Sequence, residues 1–306
     1  MKKLIILIIL LGAAFTVAFT NTTVLKFVAH KFIYQNEVFT QSSNQYYKKG
    51  TYGFVEKTNN LFVHNKQDIL NFLFTSINNG EKEFHFYCDY SYNECEDDIR
   101  KVSSDVETLT NINNFVHPFN SYESLQIVIN GLGRISITSN PLYTTEQIIE
   151  INNWVDEVLE NKIYENMSVR QQMLTIHDHI IRSTTYDNMR AEAIKENKTI
   201  KGNNSHIAYG IISEGLAVCG AYTDLMAIFL DRLGIENIKI SSDDHVWNFV
   251  NYRDNWYHLD LTWNDPQADD GRQILLHDFF LITTEELEKM ETGQHIYDKT
   301  IFQLAQ

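Results

Sequence analysis

Proline, glycine and cysteine are all scarce: 306 residues hold 3 prolines, 13 glycines and 3 cysteines. Cys88 and Cys95 lie close together in "YCDYSYNEC", but no neighbouring histidine or second cysteine pair supplies the remaining ligands of a zinc site. Basic charge is short too, with 25 Lys and Arg against 40 Asp and Glu and a formal net charge of −15. No basic stripe interrupts this balance, which argues against nucleic acid as a partner. An acidic surface of this kind signals solubility. There are no internal repeats and no low-complexity tract. What is present is 43% hydrophobic and 12% aromatic residues, which excludes a disordered chain. The length suits two modest domains or one large one.

Lys2 and Lys3 precede an apolar run from Leu4 to Phe19 that only Thr16 interrupts. This is the pattern of an export signal. The run is slightly short for a span of about 20 residues, and Thr16-Val17-Ala18 is an imperfect cleavage site. A cleaved peptide and an uncleaved single-span membrane tether therefore both fit residues 1–22. Either way the body of the chain is expected outside the cytoplasm, secreted or anchored. In an oxidising compartment Cys88 and Cys95 either close a small loop or stay reduced, and Cys219 is the odd one out.

Residues 21–33 carry apolar side chains at helical spacing, fit to extend an anchor helix or to lie on a membrane surface. A polar, turn-rich linker follows. To about Asn140 the pattern alternates: a helix in "NKQDILNFLFTSINNG", a strand in "EKEFHFYC", a helix in "ECEDDIRKVSSDVETLTNI", and paired strands in "SLQIVIN" and "GRISITSN". Residues 23–143 thus read as a small N-terminal α+β domain with no catalytic constellation. His85 and His117 are lone histidines with structural roles. Beyond them a helix opens near Thr145, the expected cap, and "SVRQQMLTIHDHIIRST" forms another. His177 and His179 point to different faces of it and make no metal pair.

Cys219 stands where a loop hands over to a helix, in "EGLAVCGAYTDLMAIFLDRLGI". A helix N-terminus favours negative charge, and the thiolate is the reactive form of cysteine. Downstream, "NIKISSDDHVWNFVNYRDNWYHLDLTWNDP" reads as two strands joined by a turn at Arg253-Asp254-Asn255. His245 near the start of the first and Asp260 near the end of the second then lie side by side, facing the helix of Cys219. Cysteine acyl transfer requires this set: a nucleophile, an imidazole that takes and returns its proton, and a carboxylate that orients the imidazole. Trp247, Trp256 and Trp263 read as scaffold, and Trp247 also as a groove residue. Asp265 and the acidic turn after it lack EF-hand spacing and read as a solvated loop.

Three segments carry a resemblance to the transglutaminase-like superfamily, the papain-related fold of transglutaminases and bacterial relatives. They are "IHDHIIRSTTYD" (Ile176–Asp187), "AYGIISEGLAVCGAYTDLMAIFLDRLGI" (Ala208–Ile235) and "HVWNFVNYRDNWYHLDLTWNDP" (His245–Pro266). "LLHDFFLITTEEL" (Leu275–Leu287) resembles the family's C-terminal extension, and the preceding α+β region resembles a companion domain of exported members. Ala221 departs from the pattern, where glycine is common, and Gly220 stands directly before it. The resemblance implies an α+β fold in which the helix bearing Cys219 packs on an antiparallel sheet bearing His245 and Asp260, within a catalytic domain at 144–306. It makes Cys219 the nucleophile, His245 the general base and acid, and Asp260 the orienting residue, with no metal or cofactor. The expected activity is cell-surface or secreted acyl transfer on protein or peptide amides through a Cys219 thioester, as peptidase, deamidase or transglutaminase. The alternative is a non-catalytic surface binding or envelope-assembly module on the same fold.

Overall fold

The computed structural model describes residues 22–39, 42–196, 198, 202–267, 273–290 and 292–302. The expected export segment Leu4–Phe19 and the acidic turn at 268–272 lie outside them. No described helix is long and apolar enough to cross a membrane. The chain divides into two units: residues 1–51, 55–112 and 122–141 form one, and residues 52–54, 113–121 and 142–306 the other.

The first unit opens with α1 (Thr22–Phe32), whose Val24, Phe27, Val28 and Phe32 are exposed. Then come β1 (Phe62–Val63), α2 (Lys66–Asn78), β2 (Glu83–Cys88), α3 (Cys95–Ser104), α4 (Val106–Asn114), β3 (Tyr122–Ile129) and β4 (Arg134–Pro141). The last residues of α4 count with the second unit. Asn65 caps α2 by accepting from the Asp68 N–H, and the helix buries Ile69, Leu70, Phe72, Leu73, Phe74 and Ile77. Strand order is β1-β2-β4-β3. The expected hairpin is present as β3 and β4, antiparallel with Ile127 opposite Ile137. Phe84 and Phe86 on β2 turn inward, and Phe86 meets Phe72 at 5.1 Å. Cys88 and Cys95 are joined by a disulfide, with Cα atoms 5.9 Å apart. His85 and His117 are both partnered, His85 with Glu37 and His117 with the Phe119 N–H.

The second unit continues with α5 (Thr145–Lys162), α6 (Val169–Arg182), β5 (Thr185–Tyr186), α7 (Asn188–Lys195), α8 (Ala208–Glu214), β6 (Leu216–Ala217) and α9 (Cys219–Arg232). The cap of α5 is Thr144, one residue earlier than expected, because Gln147 reaches back to its N–H to complete a capping box. A sheet follows: β7 (Asn237–Ser241), β8 (Val246–Tyr252), β9 (Asn255–Leu259) and β10 (Phe280–Ile282), in the order β10-β9-β8-β7, all antiparallel. Then come α10 (Thr284–Lys289) and a short 3-10 turn, Gly293–His295. The two expected strands are in fact three: residues 242–245 turn the chain between β7 and β8, the Ser242 N–H donating to the His245 carbonyl. Between β8 and β9 only Arg253 and Asp254 form the turn, both with positive φ. That is the two-residue geometry which matches strand twist.

Helix α9 is the core of this unit. From Ala221 to Leu230 every residue is buried. It is enclosed by α6, α8, β7 and β8, and its polar residues in this stretch, Thr223 and Asp224, have hydrogen-bond partners. Two histidines of the same core are buried and neutral. The His177 Nδ1 donates to Asp178 at 2.9 Å, and its Nε2 accepts from Asn264 Nδ2 at 2.9 Å. Trp247 Nε1 donates to His258 Nδ1 at 2.9 Å. Burial pushes His177 down to about 4 and His258 to about 3 from an ordinary 6.5.

Two outcomes are expected of the fold. Replacing Cys88 and Cys95 by serine removes a short loop constraint worth about 2–3 kcal/mol. Hydrogen exchange should then quicken in the amides of β2, α3 and the first unit's sheet; unchanged protection would show the bridge adds nothing. The second concerns pH. The unfolded chain protonates His177 and His258 near 6.5, the folded chain only near 4 and 3, so their stability is complete above 6.5 and lost as pH falls towards 4. Asp265 opposes this, since burial raises it to about 6, but it is one group against two. All four tryptophans lie between Trp154 and Trp263 in the second unit, so fluorescence reports it alone. Denaturation followed this way should show a loss of about 2–4 kcal/mol between pH 6.5 and 4. His258→Gln should flatten the slope while lowering the plateau.

Candidate active site

Cys219 is the first residue of α9 and is half-buried. The residue before it, Val218, is extended and offers no side-chain cap. Asn65, Thr144, Ser168, Asp187 and Thr283 all cap their helices with side-chain acceptors. No side chain accepts from the first-turn N–H groups of α9 at its cap, as at α3 and α8, although the Ala221 N–H donates to the Val218 carbonyl at 3.0 Å; Cys219 stands at the positive end of the helix dipole. Strand β6 leads into Cys219 and pairs in parallel with β5, Tyr186 opposite Ala217. A Cβ on Gly220 would sit 2.9 Å from the His206 carbonyl oxygen, so glycine is needed beside the cysteine. Ala221 itself is fully buried; the close approach belongs to Gly220.

Hydrogen bonds pin this helix to the strand that follows the histidine. Thr223, one turn beyond Cys219, donates its hydroxyl to the carbonyl of Val246 at 2.9 Å, and Asn248 Nδ2 donates to the carbonyl of Thr223 at 3.0 Å. Asp224 accepts from Lys239 on β7 at 2.9 Å and from the Tyr143 hydroxyl at 2.6 Å. In the β8–β9 ladder Asn248 is opposite Leu259. Continued outward, that register sets Asp260 opposite Trp247. His245 precedes Trp247 by two residues, so it shares a face with Asp260 as its diagonal neighbour.

His245 Nε2 donates to Asp260 Oδ2 at 2.6 Å, both side chains being buried. The Cys219 side chain is close enough to the same imidazole to raise its pKa. With Nε2 committed to the carboxylate, Nδ1 is the nitrogen left for sulfur. The structure thus brings together the three residues expected from sequence. Trp247 is buried and stacks on the His245 ring at 5.7 Å, a scaffold rather than a groove residue. Burial alone would lower the pKa of His245, but the Asp260 charge and hydrogen bond, then Cys219, push it up to about 10. Burial would likewise raise Asp260; the charge and hydrogen bond of His245, then His295, hold its carboxyl far below the usual range instead.

His295 has no counterpart in the sequence reading. Its Nε2 donates to Asp260 Oδ2 at 2.9 Å, while its Nδ1 lies 2.5 Å from the Thr292 hydroxyl. It follows Asp260 by 35 residues in a 3-10 turn, where no periodicity marks it. Behind it lies a cavity of about 330 Å³ lined by Thr284, Leu287, Thr292 and Tyr297. Tyr186 is the phenol near the thiol: burial first, then the Cys219 and Asp260 charges, raise it to about 12. Tyr209 donates to Glu150 on α5. Asp265 is buried and accepts from the Tyr222 hydroxyl at 2.5 Å, so it belongs to the core and not to a solvated loop.

Two His-Asp-His groups place their ligand atoms within 4.8 Å of one another: His177, Asp178 and His277, and His245, Asp260 and His295. In the first, the Phe279 N–H donates to Asn264 Oδ1, which turns the Asn264 amide N–H towards His177 Nε2. That leaves the proton on His177 Nδ1, the atom facing Asp178, where a cation would need a lone pair. In the second, two imidazole nitrogens approach one carboxylate oxygen at 2.6 and 2.9 Å. Ligands sharing a tetrahedral zinc stand roughly 3.3 Å apart. Both groups are built as hydrogen-bond chains.

No family model matches the sequence, and no curated protein matches it either. Among solved structures the chain is similar to a crystal structure described as a TGase, at 14% identity and a TM-score of 0.38, over 57% of this chain and 50% of that one. It is also similar to a provisionally assigned cysteine protease from Cytophaga hutchinsonii, at 12% identity and a TM-score of 0.28, over 50% of this chain and 65% of that one. The matched parts thus span less than two thirds of either protein's length.

Proposed function

We propose that this chain is an exported cysteine acyl-transfer enzyme acting on protein or peptide amides through a thioester on Cys219. The observation that carries the reading is the single imidazole of His245, hydrogen-bonded to a buried carboxylate and close enough to a helix-terminal thiol for that thiol to raise its pKa. Cys219 Sγ attacks the amide carbon after passing its proton to His245 Nδ1. The imidazolium gains from the Asp260 charge and then protonates the departing amine. Amides in the first turn of α9, and the hydroxyl of Tyr186, are the donors for the oxyanion. Water resolving the thioester gives a peptidase or deamidase, and an amine gives a transglutaminase. Export is supported by the Lys2-Lys3 and Leu4–Phe19 pattern and by the Cys88–Cys95 bridge, a pairing typical of oxidising compartments.

Purified protein incubated with glutamine-containing peptides, with and without a primary amine, should yield products readable by mass. Amine incorporation marks crosslinking, a one-unit rise marks deamidation, and fragments mark peptidase. Cys219→Ala and His245→Ala should each lower kcat by at least about 10⁴-fold, and the double variant should be no worse than Cys219→Ala alone. Asp260→Asn should cost less, since the nucleophile stays. Full activity in Cys219→Ala sinks the reading; a protein inert across broad peptide pools that binds a surface ligand tightly is a binding module instead. Protease added to intact cells should digest the chain. Protection that ends only on lysis would refute export.

A further inference from the structure

We propose that His295 is a positioning residue for this chemistry: a second imidazole donor on Asp260 that fixes the carboxylate and moderates its pull on His245. The inference rests on the Cys219–His245–Asp260 reading.

Asp260 accepts from four donors. Oδ1 takes the backbone N–H groups of Thr262 at 2.8 Å and Trp263 at 3.2 Å, and Oδ2 takes His245 at 2.6 Å and His295 at 2.9 Å. A carboxylate offers about four lone-pair sites, so it is saturated and cannot rotate. An ionised carboxylate only accepts, hence Nε2 carries the proton in both rings. The Thr292 hydroxyl donates to Nδ1 and keeps His295 in that tautomer. Three aromatic rings hold the imidazole in place: Phe279 stacked at 5.2 Å, Trp247 edge-on at 4.8 Å and Trp263 at 5.2 Å. What sets this ring apart from His177 and His258 is its acceptor, since its Nε2 donates to the same carboxylate oxygen as His245.

The consequence is electrostatic. Hydrogen bonds to an anion draw charge from it. With His295 on the same oxygen, Asp260 stabilises the His245 imidazolium less than it would alone. His245 must take a proton and then release it, so an imidazolium held too firmly slows the second half of the cycle. The other titratable groups acting on this pair are His177 from α6, His258 from β9, Tyr186 from β5 and Cys219 from α9, with Lys299 acting on His258.

The test follows His245 by histidine Cε1–H NMR across pH in the full chain carrying Cys219→Ala, which removes the thiol's coupling. The His245 signal is assigned by its loss in His245→Ala. His295→Leu, which keeps bulk and removes the donor, should raise the His245 midpoint by about one pH unit. His295→Gln, which restores an N–H donor, should return most of that shift. If His295→Leu fails to fold, Thr292→Val carries the test, with a smaller shift in the same direction. An unmoved midpoint in the folded variants, or an equal shift in the Leu and Gln variants, overturns the proposal. This readout needs no substrate, so it fails separately from the acyl-transfer reading, which stands or falls on product formation by the unmutated chain.

Discussion

The second unit depends on one clamp, the pair of hydrogen bonds that ties Thr223 to Val246 and Asn248. Cys219 sits on a helix and His245 directly before a strand, and no chain connectivity short of 26 residues relates them. Because α9 is enclosed, any polar group on its surface must find a partner or cost free energy. Thr223 and Asp224 find theirs on β7, β8 and Tyr143. A slip of the helix along the sheet would strand several buried polar groups at once. The register of thiol against imidazole follows from that penalty.

The second constraint is a single buried charge. Asp260 is ionised where water does not reach, which is tolerable only because four donors surround it. The nearby histidines divide accordingly. His245, in contact with the carboxylate and the thiol, is held towards its charged form, whereas His177 and His258 are neutral, tied to Asn264 and Trp247. What each ring touches decides which of them is held charged.

Cys219, His245 and Asp260 are legible in the sequence because each carries a local signal: a cysteine before an apolar helix, and two residues flanking a hairpin whose turn fixes parity. The α+β class is legible for the same reason, in segments whose period shifts between 3.6 and 2. The chain break between β7 and β8 is not, because "SSDD" differs little from a polar stretch of strand. The capping residue of α5 is off by one, since Thr144 and Thr145 are both threonine and only the reach of Gln147 separates them. His295 is invisible for a different reason. Its role arises from a long-range contact, and nothing in "TGQHIYD" says which carboxylate the chain will carry it to.

Val218 has a consequence for how the protein can be improved. An N-cap residue with a side-chain oxygen typically gives a helix about 1 kcal/mol, and the chain takes that gain at five other helices. At α9, as at α3 and α8, it forgoes it, and on the acyl-transfer reading proposed above the first amides of α9 serve the substrate's oxyanion. Serine or aspartate at 218 would be an obvious stabilising substitution by any count of fold energy. If the proposed function holds, it would also set an internal oxygen where the substrate's must go. On that reading the position is a point of trade between durability and rate, and a search for hardier variants scored on melting temperature alone would select against catalysis there.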